Sequence, residues 1–358
     1  MNNALLKGLL PLFATFLLGA EGTFAQSEST SAWRFANRLQ LGWETDNNVE
    51  ESLHHPRDAR SLRFIFDSRG HRYGKVSSLS FSYHSGLQLY WQYASENKLV
   101  NEASGKATFK LFPGAEVGVH GGGRLKIFLG KETDYAWGHL SPMLQISLPR
   151  NLTLQAGCRL EGLDYAQSDY YDYSGPLYYA QIGFPVIRGL TLSPQISFGR
   201  LYLNRLAYRP TEDRRSWLPS TEKQNDRLGL YSLRADLLVK GILLNLSYSF
   251  ETYRSNSYGF DFNKHQFTFM FAKRVAGILF RGYGTIQKKT YLDALLPFWL
   301  LELDTEKEES NFAVLDLSRD LTSFLTLMLR IAWYKNESPW ASFYYQKRLI
   351  NLGMEMRF

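Results

Sequence analysis

The chain of 358 residues is poor in cysteine: Cys158 stands alone. No internal disulfide can form, which excludes a small secreted scaffold stapled by bridges. Past the first twenty-five residues there is no apolar run of about eighteen residues, so no helix is expected to cross a bilayer. No cysteine follows the apolar N-terminal stretch, so a lipid-modified N-terminus is not expected. Metal-ligating patterns are missing as well. His54 and His55 share a segment with Asp46, Glu50, Glu51 and Asp58, but adjacent histidines in a solvated loop are ordinarily polar surface. Hydrolytic sets are equally scarce: Ser82 with His84, and His139 with Ser141, have no identifiable carboxylate to orient the histidine. No catalytic residue, metal site or cofactor is expected. Asn151-Leu152-Thr153 and Asn336-Glu337-Ser338 are read as chance matches to a glycosylation acceptor. No linker, second domain or longer repeat is visible.

What is present is alternation. Trp33, Phe35, Leu39, Leu41 and Trp43 fall on one parity, with Arg34, Arg38, Gln40 and Glu44 on the other. Leu62, Phe64 and Phe66 oppose Arg63, Ile65 and Asp67. Leu79, Phe81, Tyr83, Leu87, Leu89, Trp91 and Tyr93 oppose Ser78, Ser80, Ser82, His84, Gln88 and Gln92. Period 2 with one apolar and one polar face is a strand between two different surroundings. The same pattern returns in Leu152 to Cys158, Ala180 to Phe184, Leu244 to Phe250, Phe267 to Phe271 and Leu325 to Trp333. No charge interrupts these apolar sets. The breaks between strands alternate in length. Pro113-Gly114, Ile187-Arg188-Gly189 and Lys240-Gly241 are tight, whereas Asp46 to Ala59, Asn204 to Asn225 and Thr290 to Glu309 are long and polar. Short turns alternating with long loops, over about sixteen segments, predict an all-β fold, a transmembrane antiparallel up-and-down β-barrel.

The last strand carries Ile350, Leu352, Met354, Met356 and Phe358 on its apolar parity. It resembles the closing strand of bacterial outer-membrane β-barrels of the porin type, which typically ends in Phe. That resemblance implies an assembly signal formed by Phe358, Met356 and Met354, engaged by the barrel assembly machinery. Residues 39–49, Leu-Gln-Leu-Gly-Trp-Glu-Thr-Asp-Asn-Asn-Val, resemble the first strand and loop of putative porins linked to exopolysaccharide export. The resemblance covers about a dozen residues. The helical-repeat domain often attached in that family is absent from this sequence.

Residues 1–25 read as a signal peptide, with Lys7 as its basic part, Leu9 to Ala20 as its apolar core and cleavage after Ala25. Residues 26–32 read as a periplasmic tail, and 33–358 as the barrel in the bacterial outer membrane. Aromatic residues make up 15% of the chain, with 24 Phe and 22 Tyr, which suits rings placed at two membrane interfaces. The net charge is +7. With an export signal, this points to anionic headgroups or solutes rather than nucleic acid. Outer-membrane lipid, lipopolysaccharide and a small solute or polysaccharide are the expected partners.

The polar parity supplies the lumen: Arg38, Arg63, Lys110, Arg124, Arg159, Arg234, Arg281 and Arg330 as cations, with Glu161 and Asp236 among the anions. Cations in excess would favour anionic solutes, and neighbours such as Arg159 and Glu161 would pair. The expected function is a channel or porin for small hydrophilic solutes. The alternatives are a barrel serving exopolysaccharide export, or a structural or adhesion barrel with a plugged lumen. The loop from Thr290 to Glu309 holds Leu295, Leu296, Phe298 and Trp299, and leaving such side chains in water forgoes roughly 1.5–3 kcal/mol each. They are expected to fold over the mouth as a constriction. Deleting Leu295 to Leu301 should then raise single-channel conductance in planar bilayers while the barrel still inserts. Unchanged conductance in a folded deletion would remove the constriction.

Overall fold

The computed structural model describes residues 32–358 except 53, 131–133, 213–216, 294–310 and 337–344. Sixteen antiparallel strands close into one barrel in chain order. The first eight are β1 (Arg34–Asp46), β2 (Ala59–Tyr73), β3 (Ser77–Tyr90), β4 (Lys98–Phe112), β5 (Ala115–Phe128), β6 (Tyr135–Leu148), β7 (Leu152–Tyr165) and β8 (Tyr173–Ile187). The second eight are β9 (Leu190–Pro210), β10 (Trp217–Val239), β11 (Ile242–Ser255), β12 (Phe262–Val275), β13 (Ile278–Tyr291), β14 (Asn311–Asp320), β15 (Leu325–Asn336) and β16 (Tyr345–Arg357). Each strand pairs with its neighbours in sequence, and β16 returns to β1.

The turns at one end are tight for local reasons. Lys240 and Gly241 both have positive φ, as do Ala276 and Gly277. Two such residues in succession make the hairpin turn whose twist matches that of the flanking strands. The other end carries the longer connections, so the alternation of loop lengths is a property of the fold.

Burial is inverted relative to a water-soluble domain. The largest fully buried side chains are polar, Gln224, Glu44, Asn48, Thr326, Asp46 and Asp226 among them. Leu140 and Leu160 are each 51% exposed and Leu352 56%, all on the opposite parity. A soluble protein does not present such a continuous apolar exterior. Aromatic rings gather near both edges of this surface. Phe35 and Phe81 lie 5.9 Å apart toward the tight-turn end, and Trp43 and Trp91 lie 5.0 Å apart toward the loop end. On the same outer face, the Phe81 ring covers Gly70 and the Phe271 ring covers Gly282. A Cβ at either glycine would meet the ring within 2.2 Å.

Two strands run longer than the sequence pattern suggests. The stretch 204–225, read as a loop, is largely β9 and β10, which stay in register to Pro210 opposite Trp217, with bulges between Pro219 and Asn225. The physical reason is that beyond the membrane the outer face need not be apolar and the inner face holds buried polar groups, so alternation fades although pairing continues. The proposed signal peptide, residues 1–25, and nearly all of the tail at 26–32 lie outside the described residues.

The seam between the first and last strands is fastened at both ends. Asn37 and Phe358 exchange backbone hydrogen bonds of 3.0 and 3.1 Å. Near the opposite end, Lys347 Nζ on β16 lies 2.9 Å from Asp46 Oδ2 on β1, both side chains being buried. Removing one partner of a buried pair strands the other charge, at a cost of about 3–5 kcal/mol. Lys347→Met should therefore lower the temperature at which the folded band is lost on gels. Adding Asp46→Asn to that variant should restore part of it. An unchanged midpoint in Lys347→Met would show that the pair does not hold the seam.

Candidate functional site

The inner wall is the candidate site, and its side chains follow from strand parity and register. Arg38, Arg63, Lys110, Arg124, Arg159, Glu161, Arg234, Asp236, Arg281 and Arg330 stand on the inward parity of β1, β2, β4, β5, β7, β10, β13 and β15. They are distributed around the wall rather than gathered into one cluster.

Most take part in ion pairs. Asp316 on β14 receives Arg281 at 2.7 Å from β13 and Arg330 at 2.7 Å from β15. Arg38 lies 3.2 Å from Asp67, whose other oxygen is 2.8 Å from His84 Nδ1. Arg234 pairs with Asp236 on its own strand at 2.8 Å, and Asn245 also donates to Asp236. Lys264 and Glu251 pair at 2.8 Å.

At the loop end the lumen holds a cavity of about 540 Å³ lined by Glu44, Arg63, Lys98, Glu102, Arg124 and Lys126, among others. Arg124 lies 2.7 Å from Glu102 and Arg63 lies 3.2 Å from Glu44. The segment after β1 turns into this mouth. Asn48 N–H donates to Asp46 Oδ1 at 2.9 Å, and its amide donates to the carbonyls of Ser52 and Gln346 at 2.8 and 2.9 Å. Val49 is buried there against Ala59 and Tyr90. Tyr90 in turn donates to Asp46 at 3.2 Å. Asp46 to Val49, expected from the sequence to open a long polar loop, instead lines the mouth. Lys98, Tyr90 and Lys347 were also missed, because each lies at a strand end where parity gives little signal. His54 and His55 are exposed on the same loop. The proposed constriction residues Leu295, Leu296, Phe298 and Trp299 lie outside the described residues.

A second network occupies the extended part of β9 and β10. Arg205 Nε donates to Gln224 at 2.7 Å, Gln224 donates to Asp226, and Tyr253 donates to Asp226. The Arg205 guanidinium also lies 4.5 Å over the Phe260 ring. It was missed because its members lie in or beside the stretch read as loop. In the loop after β7, burial pushes the Asp172 carboxyl up to about 6, against the bond it accepts from Tyr165 N–H at 2.8 Å. Nearby Asp164 and Asp169 push in the same direction as burial.

One sector differs from the rest. On β4 to β7, Lys106 faces His120 across the register, and His120 faces Ser141. His139 Nε2 lies 3.2 Å from His120 Nδ1. Arg159 has no ion pair among the described residues, and its Nε is buried without a hydrogen-bond partner. His139 opposes Glu161 across the strands. The result is a wall sector dominated by cationic and titratable nitrogen.

In neither Ser/His combination do the two side chains hydrogen-bond each other among the described residues. His84 does have an orienting carboxylate, Asp67, which the sequence did not reveal. Ser82, however, bonds Ser104 at 2.7 Å. Ser141 lies 3.4 Å from the Tyr179 hydroxyl, and His139 is turned to His120. Among the described residues no group of three or more His, Cys, Asp or Glu side chains is arranged to hold a metal.

A closed sixteen-strand wall, apolar outside and charged inside, belongs in a bilayer. The architecture is that of a porin-like outer-membrane barrel. No family model and no curated protein matches the chain. Among solved structures, it is similar to the trimeric form of OmpT, an outer membrane protein of Vibrio cholerae. The identity is 8% and the TM-score 0.46, over 92% of this chain and 100% of that one. OprD of Pseudomonas aeruginosa is similar at 10% identity and a TM-score of 0.42, over 94% and 99%. A structure described as a bacterial polysaccharide outer membrane secretin is similar at 8% identity and a TM-score of 0.41, over 90% and 98%. Phe358, Met356 and Met354 lie on the outer face of this barrel and are exposed there.

The Asp316 triad gives a direct test of the inner wall. Asp316→Asn removes the charge shared by Arg281 and Arg330, leaving two cations without an anion. Thermal stability should fall by about 1–3 kcal/mol, the lower range reflecting the partial exposure of both arginines. In planar bilayers the variant should be more anion-preferring than the wild type. Unchanged stability and selectivity together would mean that the triad neither holds the wall nor faces the ion path.

Proposed function

We propose that the protein is an outer-membrane channel for small hydrophilic solutes, with a preference for anions, and not an enzyme. The observation that carries this reading is the β4–β7 sector, where Lys106, His120, His139 and Arg159 face the lumen and Arg159 lacks an ion pair among the described residues. Charge rings of one sign are how a pore discriminates among ions. Ion pairs elsewhere cancel part of the wall's field, and in this sector two fixed cations, Lys106 and Arg159, stand against a single carboxylate, Glu161. The mouth cavity, lined by polar side chains from several strands, suits solutes that keep part of their hydration shell.

Purified protein in a planar bilayer under a salt gradient should conduct, with a reversal potential of the sign for anion preference. Arg159→Gln combined with Lys106→Gln should move that potential toward zero without loss of the folded barrel. A closed structural barrel would not conduct. Cation preference would refute the assignment of the sector. A barrel that serves polysaccharide export would show conductance blocked by an acidic polysaccharide and not by small anions of equal charge concentration.

A further inference from the structure

On the outer face, three arginines stand side by side across three strands. Arg227 on β10 is directly opposite Arg200 on β9 and directly opposite Arg254 on β11. All three share the parity of the exposed apolar side chains. Arg200 and Arg227 are exposed, and Arg254 is partly so. Like charges directly opposite on neighbouring strands repel.

Among the described residues none of the three forms an ion pair with a carboxylate. Glu222 is taken by Arg209 at 3.2 Å, and Asp226 turns inward and is fully buried. Asp261 accepts the Ser255 N–H at 2.6 Å. Arg254 is held in place by neutral oxygens, donating at 2.8 Å to the carbonyls of Tyr253 and Phe262 and to the Asn263 side chain. These bonds fix its guanidinium but leave its charge uncompensated.

The height of the row is informative. Arg254 is twelve residues along β11 from Ile242, beside the tight turn at Lys240 and Gly241. At about 3.4 Å per residue and a tilt near 40°, the row stands roughly 30 Å from that turn. The apolar band of such barrels is about 25 Å tall. Immediately below the arginines runs a row of rings on the same three strands. Phe198 and Tyr231 have centroids 5.9 Å apart, and Tyr231 and Phe250 have centroids 6.4 Å apart. Aromatic rings collect where acyl chains meet headgroups. The arginines are therefore level with the headgroups of the outer leaflet.

We infer that Arg200, Arg227 and Arg254 form a binding site on the outer wall for the phosphate of an anionic lipid headgroup. Guanidinium forks match phosphate oxygens in pairs, and the bonds are charge-assisted. A phosphate monoester lying across the row would offset the repulsion among the three. Its acyl chains would run down over the Phe198–Tyr231–Phe250 row. The site is separate from the lumen, so its success or failure leaves the channel reading untouched.

The test uses the folded full-length protein in an uncharged detergent. Diphosphoryl lipid A, the same lipid dephosphorylated, and inorganic phosphate are each titrated in, and the thermal midpoint of the folded band is read. Diphosphoryl lipid A should raise the midpoint, whereas the other two should leave it unchanged. In Arg200→Gln/Arg227→Gln the lipid should bind about tenfold more weakly, and the midpoint without lipid should be equal to or higher than that of the wild type. Lysines at the same two positions should retain most of the response. Arg227→Gln alone should show part of the loss and decides the matter if the double variant does not fold. An equal response in the glutamine variants, a response to dephosphorylated lipid, or one to inorganic phosphate alone would overturn the proposal. So would the absence of any response in the wild type.

Discussion

Backbone hydrogen bonding governs everything else in this molecule. In a bilayer core each unpaired N–H or C=O costs several kcal/mol, and no water is there to satisfy it. A sheet survives only if it has no edge. The pairing of β16 with β1 removes the last two edges, and the chain secures it heavily. Lys347, Asp46 and Glu51 meet at the loop end. Arg38, Glu355, Arg357 and Asp320 form a chain of ion pairs toward the other end. The Lys347 contacts and the Arg38–Glu355 pair join residues about three hundred positions apart in sequence, which makes ring closure a non-local event.

Closure in turn dictates where charge can go. Once the outer parity faces acyl chains, fixed charges deep in the membrane-spanning part of the wall are placed on the lumen side. Crowded there, the groups pair: Asp316 serves two arginines, and Asp67 serves Arg38 and His84. The pairs rigidify the wall and cancel most of its field. On β4 to β7 the inward face also carries Lys106 and Arg159, for which no ion pair is formed among the described residues.

Above the apolar band the constraint relaxes. Neither face of β9 and β10 has to be apolar there, so a buried polar network built on Arg205, Gln224 and Asp226 sits on one side and an arginine row on the other. The same register that closes the barrel lines up Arg200, Arg227 and Arg254. Three residues spaced far apart in sequence become one basic surface only because two hairpins pair in that register.

Strand existence, strand number, inward parity and loop alternation were all legible in the residues. Each is a local consequence of period 2: Trp33 to Trp43 and Leu325 to Trp333 announce their faces without any partner. The extent of β9 and β10 was not legible, because a strand with polar groups on both faces loses its alternation while keeping its hydrogen bonds. The His84–Asp67 contact, the entry of Asn48 and Val49 into the mouth, and the arginine row were likewise invisible. Each depends on which residue of one strand lies opposite which residue of another. The sequence by itself determined that the wall has two faces and which residues belong to each. Only the tertiary structure decided which of them meet, since cross-strand register is set by closure of the whole ring and not by any one segment.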